Sequence, residues 1–176
     1  MSQLPIIQLG HPLLCSPALP VENFTDKKLQ ELIDSLIDTA TAANGVGIAA
    51  PQVSQSYRIF IVASRPNLRY PHAPEMKPKA MINPKIIDRD RDTVKDWEGC
   101  LSVPGFRGRI PRYRTIKVEY FNREGQLQQE ILTDFVARIF QHELDHLNGL
   151  VFLDRLESQE DLYTEAEYQN LIVNTL

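Results

Sequence analysis

The sequence predicts an α+β fold in which small antiparallel or mixed β-sheets pack around a central metal-binding helix, with an N-terminal helix and a C-terminal tail or helix. Apolar residues recur at three- and four-residue spacing from Leu29 to Ala40 and again from Phe135 to Leu147. Before the second helix, two apolar runs flank Asn122-Arg123-Glu124-Gly125, the pattern of an antiparallel hairpin. A chain of 176 residues suits one sizeable core, so a single domain over 1–176 is expected, its last segment (about 158–176) peripheral.

The opening segment carries Pro5, Pro12, Pro17 and Pro20; each fixes φ and removes a donor, which predicts extended chain wrapping the body. Thr25 is the expected N-cap of the first helix, whose apolar stripe is Leu29, Leu32, Ile33, Leu36, Ile37 and Ala40, and Asn44-Gly45 is its stop. Residues 57–63 and 80–87 read as strands. The loop between them, with Pro66, Pro71, Pro74 and Pro78, reads as surface decoration. Residues 115–121 and 126–132 form the hairpin, and a helix runs from about 133 until Asn148-Gly149. From Ser158 the chain is acidic, with only a weak periodic signal in Leu162, Tyr163, Ile172 and Val173.

Composition narrows the function classes. Hydrophobic content of 43% and charged content of 24% are those of an ordinary soluble protein, and a net charge of -4 argues against electrostatic binding of nucleic acid. Two cysteines, Cys15 and Cys100, cannot build a disulfide framework and suit a reducing compartment, so a cytoplasmic, bacterial-type protein is expected. The first ten residues lack a basic leader with an apolar run, and no segment reaches membrane-spanning length; an organellar precursor without its leader is the alternative.

Within the second helix, His142-Glu143-Leu144-Asp145-His146 puts two imidazoles four residues apart on one face with a carboxylate beside them. Such a pair can grip a divalent ion while the glutamate shuttles protons for an activated water. A structural zinc site would be closed by four ligands and rich in cysteine, and the chain has no CxxC, so an open, catalytic site fits better. The third ligand decides the class. A metzincin pattern would continue to another histidine, but Phe152 stands there. Glu165 or Glu167 could serve as in a second kind of zincin, and Cys100, after Gly99 in a polar turn, could serve as a thiolate; the residues alone leave these open.

Three segments in order, Gly45-Val46-Gly47-Ile48-Ala49-Ala50-Pro51-Gln52, Glu98-Gly99-Cys100-Leu101-Ser102 and His142 to Gly149, resemble the signature motifs of the peptide deformylases. The resemblance implies a metallohydrolase that removes formate from the N-terminal N-formylmethionine of new polypeptides. It implies metal ligation by Cys100, His142 and His146, with Fe2+ the native ion and Zn2+, Ni2+ or Co2+ tolerated; thiolate ligation suits that range. Glu143 would be the proton shuttle, and the Gln52 amide with the Leu101 backbone N–H would stabilise the developing oxyanion.

The same resemblance gives a substrate site. Gly45, Gly47 and Gly99 would let peptide backbone approach closely, Gly47 pairing with it, while Val46, Phe135 and Ile139 would wall a pocket for the methionine side chain. Arg107 matches a position that contacts peptide backbone in the family, and Glu98 would orient neighbouring backbone or Arg107. Arg138 stands where some members have an apolar pocket residue. A transient ribosome contact is implied too, although the basic C-terminal helix that some members dock with is acidic here, with Glu157, Glu160, Asp161, Glu165 and Glu167. The rivals are a zincin-type metallopeptidase and a non-catalytic homologue that binds peptide N-termini.

Overall fold

A computed structural model describes residues 3–67 and 69–173. Positions 1–2 of the expected N-terminal wrap and 174–176 of the expected C-terminal segment lie outside the described residues. Three helices, α1 (Lys27–Ala42), α2 (Asp134–Leu147) and α3 (Glu165–Val173), accompany two antiparallel sheets, so the fold is α+β. The first sheet has the order β1-β2-β3-β6-β7, from Gly47–Ala49, Ile59–Val62, Lys79–Arg89, Thr115–Phe121 and Leu127–Thr133. The second has the order β4-β5-β8, from Thr93–Cys100, Val103–Tyr113 and Leu162–Thr164. Among the described residues no helix is long and apolar enough to cross a membrane.

The unbroken apolar run of β2 follows from burial on both faces. Side chains alternate across a strand, so Ile59 and Ile61 point to one side and Phe60 and Val62 to the other. The first pair packs in a cluster with Leu29, Ile33, Leu36 and Ala40 of α1; the second packs with Ala137, Ile139, Phe140 and Leu147 of α2. Phe60 and Phe140 meet edge to face with ring centroids 5.1 Å apart. Helix α2 therefore lies between the first sheet and β5, where the Gln141 side chain exchanges hydrogen bonds with the Tyr113 backbone N–H and C=O at 3.0 and 2.9 Å. That placement buries ten of its side chains, the histidines included.

Several expectations need correction. Asp26, not Thr25, caps α1, its carboxylate accepting from the Lys28 N–H at 3.0 Å; the Thr25 hydroxyl turns back to Asn23. The strand at 57–63 is only Ile59–Val62, and the one at 80–87 extends over Lys79–Arg89. Strands β1, β4 and β5 had no clear sequence signal. Pro104, Gly105, Gly108 and Pro111 argue against a strand in β5, and β4 is mostly polar because one of its faces is open. Cys100 therefore sits at the end of a strand rather than in a turn; Leu101 and Ser102 make the turn, with Cys100 opposite Val103. The expected C-terminal helix is α3, which is joined to the body through β8 pairing with β5 and through Tyr168, 5% exposed.

Asn83 ties the N-terminal wrap to the first sheet. Asn83, at a bulge in β3 with φ of 50°, accepts from the Val21 N–H at 2.9 Å and donates to the Val21 C=O at 2.8 Å. Asn83→Ala should lower the unfolding free energy by about 2–3 kcal/mol, from two lost hydrogen bonds and the strain of Ala at positive φ, read by urea denaturation.

Candidate metal centre and substrate cleft

The three elements that carry the site arrive with distinct jobs. Helix α2 supplies His142, Glu143 and His146 from one buried face; the end of β4 supplies Cys100; the short 3-10 turn Ala50–Val53 after β1 supplies Gln52. One donor atom each from Cys100, His142 and His146 lies within 4.8 Å of the other two, and Cys100 Sγ is 3.3 Å from His146 Nε2. These are the only such cluster of three or more found among the described residues, and Glu165 and Glu167 are not in it. Glu165 pairs with Arg107, and Glu167 accepts from Thr164 at the start of α3. The zincin-type reading thus loses its third ligand.

A thiol and two imidazoles are a donor set for a borderline-soft divalent ion. Two buried polar atoms without a protein partner, Glu143 Oε2 and His146 Nδ1, belong to this site. Leaving a buried polar atom unpaired costs about 1–3 kcal/mol; His146 Nδ1 is on the ring edge away from the Nε2 that meets Cys100, so of the two it is the Glu143 oxygen that a ligand in the cleft can pair with. Burial pushes the Glu143 carboxyl up to about 7, the charge of His142 opposing it and that of Glu98 reinforcing it. Burial also holds His146 well below the ordinary imidazole range, which keeps it neutral.

Glu98 fixes the first histidine. Its Oε2 meets His142 Nδ1 at 2.8 Å, which leaves Nε2 for the metal side. Arg112 donates to both oxygens of Glu98 at 2.8 and 3.0 Å, and Arg138 donates to Oε1 at 2.9 Å. Burial alone would raise the Glu98 carboxyl, but Arg112 and the hydrogen bond from His142 hold it well below the usual carboxylate range. The network continues through Arg112 to Asp145 at 2.6 Å and from Asp145 to Arg155. The expected Glu98 contact with Arg107 does not occur. Arg138 lines the cleft beside Phe135 and Ile139, and its guanidinium also donates to the carbonyls of Val94 and Ile110.

The cleft beside the cluster is lined by Gly45, Val46, Gly47, Gly99, Leu101, Phe135 and Ile139, together with Gln52 and Glu143. Gly47 has no alternative there: a Cβ would sit 2.9 Å from Ile139 Cγ2 and collide with the Glu143 carboxylate. Strand β1 is the outermost strand of its sheet, so its free edge can receive extended backbone. The Gln52 amide is oriented by its own turn. Its Oε1 accepts from the Ala49 N–H at 2.8 Å, which turns Nε2 to Ser102 Oγ at 3.1 Å and Cys100 Sγ at 3.6 Å.

Arg107, expected at the peptide backbone, lies one layer behind the cleft wall. It is 2% exposed and absent from the cleft lining, because it lies behind Gly99 and pairs with Glu165. Three contributors had gone unread: Arg112, Asp145 and Tyr70. Tyr70 comes from the supposed decorative loop, lines the cleft and packs on Phe135 at 4.9 Å between centroids. With Arg107, Arg109 and Arg112 all on a strand broken by glycines and prolines, the sequence of β5 does not single out Arg112 as turned inward.

Residues 3–161 match the family model described as polypeptide deformylase. A peptide deformylase 2 from Nostoc sp. is 64% identical over 169 residues, covering 96% of this chain and 94% of that one. A class I type b peptide deformylase from Acinetobacter baumannii, solved with Met-Ala-Ser bound, superposes with a TM-score of 0.86 at 44% identity over 88% of this chain and 99% of that one. The Thermotoga maritima peptide deformylase gives 0.80 at 39% identity, over 90% of this chain and 100% of that one.

If the buried pairing around Glu98 is as costly to break as its geometry implies, Arg112→Met should lower the unfolding free energy by about 3–5 kcal/mol, since both Glu98 and Asp145 lose a charged partner. Urea denaturation with an unchanged m-value would measure it.

Proposed function

Because this chain belongs to the polypeptide deformylase family and removes the formyl group from N-terminal N-formylmethionine, we propose that Glu143, Gln52 and Leu101 carry the chemistry on a divalent ion held by Cys100, His142 and His146. The observation that carries this reading is the convergence of a Cys/His/His donor cluster, a buried carboxylate with an unpartnered oxygen and an oriented amide on one cleft. When bound, the ion supplies a Lewis acid and brings the pKa of water toward neutrality.

The peptide lies extended along the free edge of β1, with the Gly47 backbone as its partner and Gly45 and Gly99 as further contacts of the cleft wall. Its methionine side chain enters between Val46, Phe135 and Ile139. Glu143 Oε2 takes a proton from the attacking water as oxygen bonds to the formyl carbon. The carbonyl oxygen then gains negative charge, which Gln52 Nε2 and the Leu101 N–H stabilise; one such donor is worth about 3–4 kcal/mol of barrier. Glu143 returns its proton to the departing amine nitrogen, the C–N bond breaks, and formate and a free methionyl N-terminus leave. A carboxyl raised to about 7 suits both halves of that exchange.

Ferrous iron is the proposed native ion, with Zn2+, Ni2+ or Co2+ as substitutes that the thiolate donor also accommodates. The product tripeptide Met-Ala-Ser is the proposed minimal ligand of the full cleft. The proposed compartment is the cytoplasm, in keeping with two free cysteines, and the proposed ribosome contact is a transient one. Glu143→Ala should lose formate release from formyl-Met-Ala-Ser by at least about a hundredfold while metal content stays at that of the unaltered protein. Near-normal release from the variant would remove Glu143 from the mechanism.

A further inference from the structure

Arg107 is among the largest fully buried side chains, yet the reaction above leaves it no part. Its Nε donates to Glu165 Oε2 at 2.9 Å, its Nη1 donates to the Tyr70 hydroxyl at 3.3 Å, and its guanidinium lies 5.0 Å from the ring centre of Tyr168. On the remaining side it backs Gly99: a Cβ on that glycine would come within 2.8 Å of Arg107 Nη1 and 3.1 Å of Cζ. Gly99 and Tyr70 both line the cleft, and so does Trp97, which meets the rings of Tyr163 and Tyr168 at 5.0 and 4.9 Å. Two stretches of cleft wall far apart in sequence are thus joined through one guanidinium to β8 and α3. Glu165 is the exposed end of that link, its side chain 43% accessible.

From this juxtaposition we propose that Arg107 and Glu165 form a positioning pair, through which the C-terminal helix sets the width of the outer cleft that holds the residues following methionine. The inference rests on the deformylase reading of the cleft and deepens it. A planar guanidinium suits the task because it can bridge a carboxylate, a hydroxyl and an aromatic face at once, whereas an ammonium cannot fix all three directions. Removing the carboxylate frees Arg107 to shift away from Gly99 and Tyr70. Peptide contacts beyond methionine then weaken, while the reacting atoms, held by α2, β4 and the Gln52 turn, stay in place.

Trp97 is the sole tryptophan, so its fluorescence reads occupancy of the cleft without turnover. Metal-loaded protein carrying Glu165→Ala, and separately Glu165→Gln, would be titrated with Met-Ala-Ser and assayed on formyl-Met-Ala-Ser and on formyl-Met amide. For Glu165→Ala, Kd and the tripeptide KM should both rise about fivefold, the scale of a part-exposed ion pair, with kcat within about twofold. The Gln variant should fall between, and the KM for formyl-Met amide should stay as in the unaltered protein. Unchanged Kd and tripeptide KM in both variants would overturn the proposal, as would equal losses on the two substrates. A failure of the unaltered protein to release formate would instead overturn the deformylase reading, and the Met-Ala-Ser titration would still decide the role of Glu165.

Discussion

Glu98 is a carboxylate at 3% exposure that meets two guanidiniums and an imidazole, and the functional half of the molecule is arranged around it. It sits two residues before Cys100 on β4, so its position also sets where the thiol emerges. Arg112 brings β5 to it, while Arg138 and His142 bring α2. Taking these charges out of water is expensive, and a well-packed apolar cluster could be as stable. What an apolar cluster could not do is accept a directional bond from His142 Nδ1–H and hold the ring with its other nitrogen toward Cys100 and His146.

The second sheet is needed for the same reason. Were α2 packed on the first sheet alone, one face would carry its apolar residues and the histidines would meet solvent. Strands β4 and β5 close that side, so the imidazoles and Glu143 sit in a low-dielectric pocket where a carboxyl can rest near neutrality. Glycine at position 47 then lets β1 come close enough to Glu143 to form the facing wall. Burial, charge pairing and close backbone approach are three parts of one arrangement, and each would be costly without the others.

What could be read in the sequence follows from how local each signal is. Helix α1, the β6–β7 hairpin and α2 announced themselves because their periodicity needs only neighbouring residues, and the same holds for histidines spaced four apart on a helix. Cys100, Gln52 and Glu98 became legible as a set through the family resemblance, since nothing local connects a lone thiol to a helix 42 or more positions onward; the hydrogen-bond separation of Cys100 and His146 is 46 residues. Arg112, Asp145 and Tyr70 stayed hidden because an arginine on a strand, an acid on a helix or a tyrosine in a proline-rich loop is ordinary on a surface. Their burial comes from tertiary packing. The burial of Arg107 stayed hidden for a related reason: its ion-pair partner Glu165 lies in a segment whose acidity suggested only solvation.

The account stands or falls on whether Glu98 governs the metal site rather than merely filling the core. Glu98→Gln keeps the size and one acceptor oxygen but removes the charge shared by Arg112, Arg138 and His142. Competition for Co2+ against a chelator, on protein kept folded at low temperature, should show metal affinity at least about tenfold weaker than in the unaltered protein. An unchanged affinity would contradict the claim that this carboxylate orients the ligand set.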